Sequence, residues 1–130
     1  MQLELISVLV DDHDAAIAWF TGVLGFTLVE DVPSLTNDGR AKRWVVVRPA
    51  GAQTGILLAK SDGDAQRAAI GEQFAGRVGL FLRVEDFDAA LARLRAANAE
   101  IVTAPRDEPY GRVVVFRDLA GNKWDLLGPR

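Results

Sequence analysis

The sequence predicts an α+β chain built from two tandem βαβββ modules, and three observations carry that expectation. The first is an internal repeat: Val10-Asp11-Asp12-His13-Asp14-Ala15-Ala16-Ile17-Ala18 returns 74 residues later as Val84-Glu85-Asp86-Phe87-Asp88-Ala89-Ala90-Leu91-Ala92. The second is an echo shifted by 69 residues, which relates Arg43-Trp44-Val45-Val46 to Arg112-Val113-Val114-Val115 and Gly55-Ile56-Leu57-Leu58 to Trp124-Asp125-Leu126-Leu127. The third is the order of periodicities, which reads strand, helix, strand, strand, strand in each half. Repetition on this scale marks a duplicated supersecondary unit. A cleft between like modules is a favoured place for a ligand.

The elements follow in order. Leu3 to Val10 has strand propensity with partial alternation. Asp12 suits a helix N-cap, with acidic Asp14 in the first turn, and apolar residues then recur at helical spacing from Ala15 to Leu24. Gly25 is the expected stop. Phe26 to Val32 is a strand that Pro33 should end, and Ser34 to Ala41 reads as a loop. Lys42 to Arg48 and Gly55 to Ala59 are strands joined by the turn Pro49-Ala50-Gly51. Ser61 to Phe74 is helix-like and connects the copies. The second copy opens with a strand at Val78 to Val84, then an Asp86-capped helix through Ala97. Glu100 to Thr103 is a strand stopped by Ala104-Pro105. Val113 to Phe116 and Lys123 to Leu127 are the last pair, joined by the turn Asp118 to Asn122. The expected division is 1–60 for the first module, 61–76 for a connector helix and 77–130 for the second module, together one domain.

Composition narrows the function. With 130 residues and 49% apolar content, the chain can bury a core of ordinary size. The absence of cysteine excludes disulfides and thiolate metal sites. A net charge of −3 without a Lys/Arg cluster argues against nucleic acid as a partner. No apolar run is long enough for a bilayer, so no membrane partner is expected. No basic leader precedes the first strand, and the expected location is cytoplasmic.

The residues that carry a resemblance are Val10-Asp11-Asp12, Trp19-Phe20, Leu24-Gly25-Phe26 and the run Phe116-Arg117-Asp118-Leu119-Ala120-Gly121-Asn122-Lys123-Trp124-Asp125-Leu126. In this order the chain resembles the vicinal oxygen chelate superfamily, which includes glyoxalase I, bleomycin-resistance proteins and extradiol dioxygenases. The resemblance implies paired βαβββ modules forming a curled mixed sheet around a cavity, often in a homodimer. It also implies four metal-ligand positions on cavity-facing strands. These fall on Leu5, Ile56, Gly79 and Asp125, where metal-binding relatives place His, Gln or Glu.

Only Asp125 offers a donor side chain among those four. Catalytic zinc takes about three protein ligands, and hard divalent ions take several oxygens. No cofactor is therefore expected, with a divalent metal as the alternative. His13 reads as a surface residue beside the Asp12 cap. The run Asp11, Asp12, Asp14 lacks the glycine and closing glutamate of a calcium loop.

Strand alternation then sorts the faces. If Leu5 and Gly79 look into the cavity, so do Ser7, Leu9, Phe81 and Arg83. If Ile56 and Asp125 do, so do Thr54, Leu58, Lys123 and Leu127. Ile6, Val8, Val10, Leu80, Leu82 and Val84 would pack under the helices. Gly79 would leave room where relatives hold an imidazole. Arg83 either binds a carboxylate or phosphate or neutralises Asp125. Trp44 and Tyr110 are further ligand-binding candidates, although Trp44 and Trp124 also suit core or interface packing. Glu108, Tyr110 and Asp125 are the candidate catalytic groups. The expected function is metal-independent binding of a small hydrophobic or aromatic organic compound. The alternative is a metal-dependent lyase, isomerase or dioxygenase with an atypical site.

Overall fold

The computed structural model describes all 130 residues. It divides into two compact units, Met1–Arg67 and Ala68–Arg130. The first unit runs β1 (Leu5–Val10), α1 (His13–Gly22), β2 (Thr27–Leu35), β3 (Ala41–Arg48), β4 (Gly55–Lys60) and the start of α2 (Asp64–Ala69). The second runs β5 (Val78–Arg83), α3 (Phe87–Ala96), β6 (Ile101–Glu108), β7 (Gly111–Arg117) and β8 (Lys123–Gly128). Each unit holds one four-stranded mixed sheet, in the orders β1-β4-β3-β2 and β5-β8-β7-β6. In each, the first strand pairs in parallel with the last and the remaining pairs are antiparallel. The duplication read from the sequence is thus a duplication of topology.

The repeat has a local physical cause. Asp12 is extended at the head of α1, and its carboxylate accepts from the Ala15 N–H at 2.8 Å. Asp86 does the same for the Ala89 N–H at 3.0 Å. Each aspartate satisfies one of the amides left unpaired by the first helical turn. Apolar residues follow because that face of the helix meets the sheet: Ala16 and Phe20 of α1 are buried, as are Phe87, Ala90, Leu91 and Leu94 of α3. Against α1 the first sheet buries Val8, Val10, Val45, Val47 and Leu58, and Phe20 is fully enclosed. Burying one such side chain contributes about 1.5–3 kcal/mol.

Two strands outrun their sequence expectation. β2 continues through Pro33 to Leu35, and β6 continues through Pro105 to Glu108. Both are edge strands. A proline there can turn its missing donor toward solvent without breaking a ladder. Both also carry register shifts, at Leu28/Glu30 in β2 and at Ile101/Thr103 and Thr103/Arg106 in β6. The connector is less helical than expected. α2 ends at Ala69, and turns lead on to Gly76. Gly71 sits at φ +77°, where a Cβ would collide with the Ala120 carbonyl, so the chain leaves the helix at a residue only glycine suits. No helix is long and apolar enough to cross a membrane.

Candidate functional site: the open faces of the two sheets

Strand register decides which side chains each sheet turns away from its helix. In the first sheet Ser7 lies opposite Leu57, and Val8 lies opposite Leu58. Val8 and Leu58 are both fully buried on the helix side. Leu5, Ser7 and Leu9 therefore share the open face with Leu57. Ile56, opposite Ile6, lies on the other face and is 6% exposed. Ile56 and Leu58 were expected on the open face, and their placement is corrected here. In the second sheet Phe81 lies opposite Asp125. Ser7 to Phe81 is the 74-residue shift, so the counterpart of Asp125 is Leu57, at a shift of 68 rather than 69. A slip of one residue flips every side chain to the opposite face.

The second open face holds the polar chemistry. Phe81 projects from β5 with 63% of its surface exposed, beside partly buried Asp125 on β8. Burial raises the Asp125 carboxyl above its ordinary pKa, and Arg106 acts against that rise. Arg106, rather than Arg83, is the cation that acts on Asp125. Its guanidinium donates to Glu108 Oε1 at 2.8 Å, and that bond is the main cause that raises its own pKa. One arginine thus pairs with Glu108 and acts on Asp125 through its charge. Arg83 is exposed, two pairs further along, opposite Leu127. Lys123 shares the face by alternation, but its ammonium donates to the Gly76 carbonyl at 3.1 Å.

Gly79 does not leave the expected space. A Cβ on Gly79 would lie 2.3 Å from ring atoms of Phe74, from the connector, a clash. The glycine is required because that ring lies flat on the backbone.

Two other readings are settled by contacts. Trp124 is 2% exposed, stacks on Phe116 at 5.8 Å and donates from Nε1 to Asp118 Oδ2 at 2.8 Å, so it belongs to the core. Asp118 Oδ1 also accepts from the N–H groups of Ala120, Gly121 and Asn122, at 2.9, 3.0 and 3.0 Å. This carboxylate shapes the turn that launches β8 and so positions Asp125. His13 is not a surface residue. It is 6% exposed, and Nε2–H donates to the Leu58 carbonyl at 3.0 Å. Burial lowers its pKa, and the neutral ring suits that bond. Trp44 is half-buried on the wall of a slot between β3 and β4.

With the register corrected, the metal-ligand positions implied by the resemblance fall on Leu5, Leu57, Gly79 and Asp125, and only Asp125 has a donor side chain. No three His, Asp or Glu side chains converge anywhere in the chain. The donor set does not fit a divalent ion held by the protein.

Arg106 and Leu57 are the open-face residues that sequence reading missed. The signal for Arg106 was spacing: Arg106 and Glu108 lie two apart and share a face if the strand passes through Pro105.

Comparison with known proteins agrees with this architecture. The pattern of the Glyoxalase/Bleomycin resistance protein/Dioxygenase superfamily matches residues 2–126. A protein of Shewanella frigidimarina (strain NCIMB 400), described as uncharacterized, is 42% identical over 123 residues, covering 94% of this chain and 89% of that protein. The crystal structure of TnmS3, an antibiotic binding protein from Streptomyces sp. CB03234, is 30% identical with a TM-score of 0.76, covering 100% of this chain and 97% of that one. A glyoxalase/bleomycin resistance protein from the same Streptomyces strain is also 30% identical, with a TM-score of 0.72, covering 97% and 99%. With the duplicated βαβββ topology and a family match over nearly its whole length, the chain belongs to the glyoxalase/bleomycin resistance protein/dioxygenase superfamily.

Proposed function

We propose that the chain binds a small hydrophobic or aromatic organic compound on the open face of its second sheet, without a metal. The observation that carries this reading is the pairing of Phe81 with Asp125. A large exposed aromatic side chain lies beside the one carboxylate left among positions otherwise made of carbon. An exposed ring offers a flat surface for stacking, and Asp125, Arg106 and Tyr110 supply a few polar contacts to orient a ligand. The likeness to an antibiotic binding protein supports the same class of ligand. The homodimer and cytoplasmic location implied by the resemblance belong to this proposal. Exposed Leu28, Val29, Val32 and Leu35 along edge strand β2 support the dimer, and light scattering tests it.

Thermal shift with 2-naphthol and 2-naphthylmethylammonium tests the ligand class. Saturation at a hundredfold excess over Kd stabilises the native state by about 2.7 kcal/mol. Phe81→Ala is expected to remove most of the shift while the free protein melts unchanged. An undiminished shift in that variant contradicts the placement.

A second reading has its own observation. Asp125 has a raised pKa and feels the charge of the Arg106–Glu108 pair, an environment suited to metal-free proton transfer. Loss of turnover in Asp125→Asn, with binding retained, is its signature.

A further inference from the structure

Strand alternation leaves one cation on the open face of the second sheet without a partner. Phe81 and Arg83 lie two residues apart on β5, and both are exposed. Leu80 and Leu82, opposite the buried Trp124 and Leu126, take the helix side. Cross-strand rows then fix the neighbours. Phe81, Asp125 and Val115 lie side by side across β5, β8 and β7. In the next row of that face Arg83, Leu127 and Val113 lie side by side, and Arg106 of β6 ends the row.

The other cations of this face are occupied. Arg106 is paired with Glu108 at 2.8 Å, Arg117 is paired with Glu100, and the Lys123 ammonium donates to the Gly76 carbonyl at 3.1 Å. Arg83 has no ion-pair partner. Nor does it serve Asp125, on which Arg106 is the cation that acts. The two arginine–glutamate pairs compensate themselves, which leaves Arg83 and Lys123 against the single carboxylate of Asp125. The patch is therefore biased positive in a chain of net charge −3. Asp125 is the weaker handle for a charged ligand, because burial disfavours its ionised form. A guanidinium presents a fork that matches a carboxylate bidentately. Two residues along a strand span about 6.6 Å, so a small two-ring molecule reaches from Phe81 to Arg83. Leu127 and buried Val113 make the row beside Arg83 apolar, which strengthens an ion pair formed there.

We propose that the compound bound on this face is an aromatic carboxylate, with its ring on Phe81 and its carboxylate held by Arg83. The inference rests on the reading of the face given above, and adds to it the charge of the ligand and the residue that selects that charge.

Titration calorimetry with three probes that share one ring system tests it: 2-naphthoate, neutral 2-naphthol and 2-naphthylmethylammonium. The protein is expected to bind 2-naphthoate about tenfold or more tighter than 2-naphthol, the scale of one charge-assisted hydrogen bond, and the ammonium compound most weakly. Arg83→Gln breaks no ion pair, and its melting curve checks the fold. It should bring 2-naphthoate down to the affinity of 2-naphthol and leave 2-naphthol itself unchanged. Phe81→Ala should weaken both compounds. A protein that binds 2-naphthoate no better than 2-naphthol, or a preference that survives Arg83→Gln, overturns this inference. If Phe81→Ala still weakens 2-naphthol in that case, the reading of the face stands without it. Binding of every probe indifferent to Phe81→Ala, or no binding at millimolar concentration, overturns both.

Discussion

His13 stands among three aspartates in the sequence, yet its ring is buried and bonded to a strand 45 residues away. Burial lowers its pKa in the folded state, with nearby Arg43 and Lys60 acting in the same direction. The folded form thus favours the neutral ring. The stability this contributes is fully present above the ordinary value of 6.5 and is lost as pH falls through the lowered one. Asp31, Asp38 and Asp62 have pKa values lowered mainly by side-chain hydrogen bonds, to Arg43, Thr36 and Arg40 respectively, so their contributions fade only below about the carboxylate range. Urea unfolding between pH 7 and pH 5 should therefore show a decline in the parent protein (roughly the His titration range). His13→Asn keeps a donor and loses the titration, so its stability should stay level there. An equal slope in both proteins would place the titration elsewhere. Gly79 is a second residue-scale case. Gly79→Ala drives a methyl into the Phe74 ring and should cost about 1–3 kcal/mol by overpacking. Adding Phe74→Ala should recover part of that loss, read as a coupling energy between touching sites. Strict additivity would mean the ring does not rest on the glycine.

At the scale of elements, the strands, two long helices and their order were legible because their causes are local. Caps, alternation and helical spacing are written in consecutive residues. Asp12→Ala and Asp86→Ala should each cost about 1 kcal/mol in chemical denaturation, the usual worth of an N-cap. A cost near zero for either would remove capping as the reason for the repeat. What local reading missed was strand length at Pro33 and Pro105. A proline is a stop in isolation, and only the sheet order shows that these two lie on edges where it is tolerated. α2 was over-read because Ala65, Ala68 and Ala69 favour helix, while the contact that ends it, Gly71 against the Ala120 carbonyl, joins residues far apart in the chain.

At the scale of the whole molecule, the open faces were legible in part. The 74-residue shift put Ser7 and Phe81 at matching positions, and the structure keeps them so. For β4 and β8 the 69-residue echo was one residue out, because the stretch from Val46 to its partner Leu57 is one residue longer than that from Val115 to its partner Asp125, and only the ladder shows it. That error exchanged Ile56 for Leu57, both without donor atoms, so the poverty of the metal positions survives it. Arg106 stayed hidden because it follows Pro105 in what reads as a loop. The central claim is that the face around Asp125 retains an organic ligand without a divalent ion. Thermal shift with 2-naphthol, made before and after exhaustive chelation and paired with elemental analysis, tests it most directly. The account predicts the same shift in both samples and no stoichiometric metal in either. A shift that vanishes on chelation and returns with zinc or manganese would contradict it.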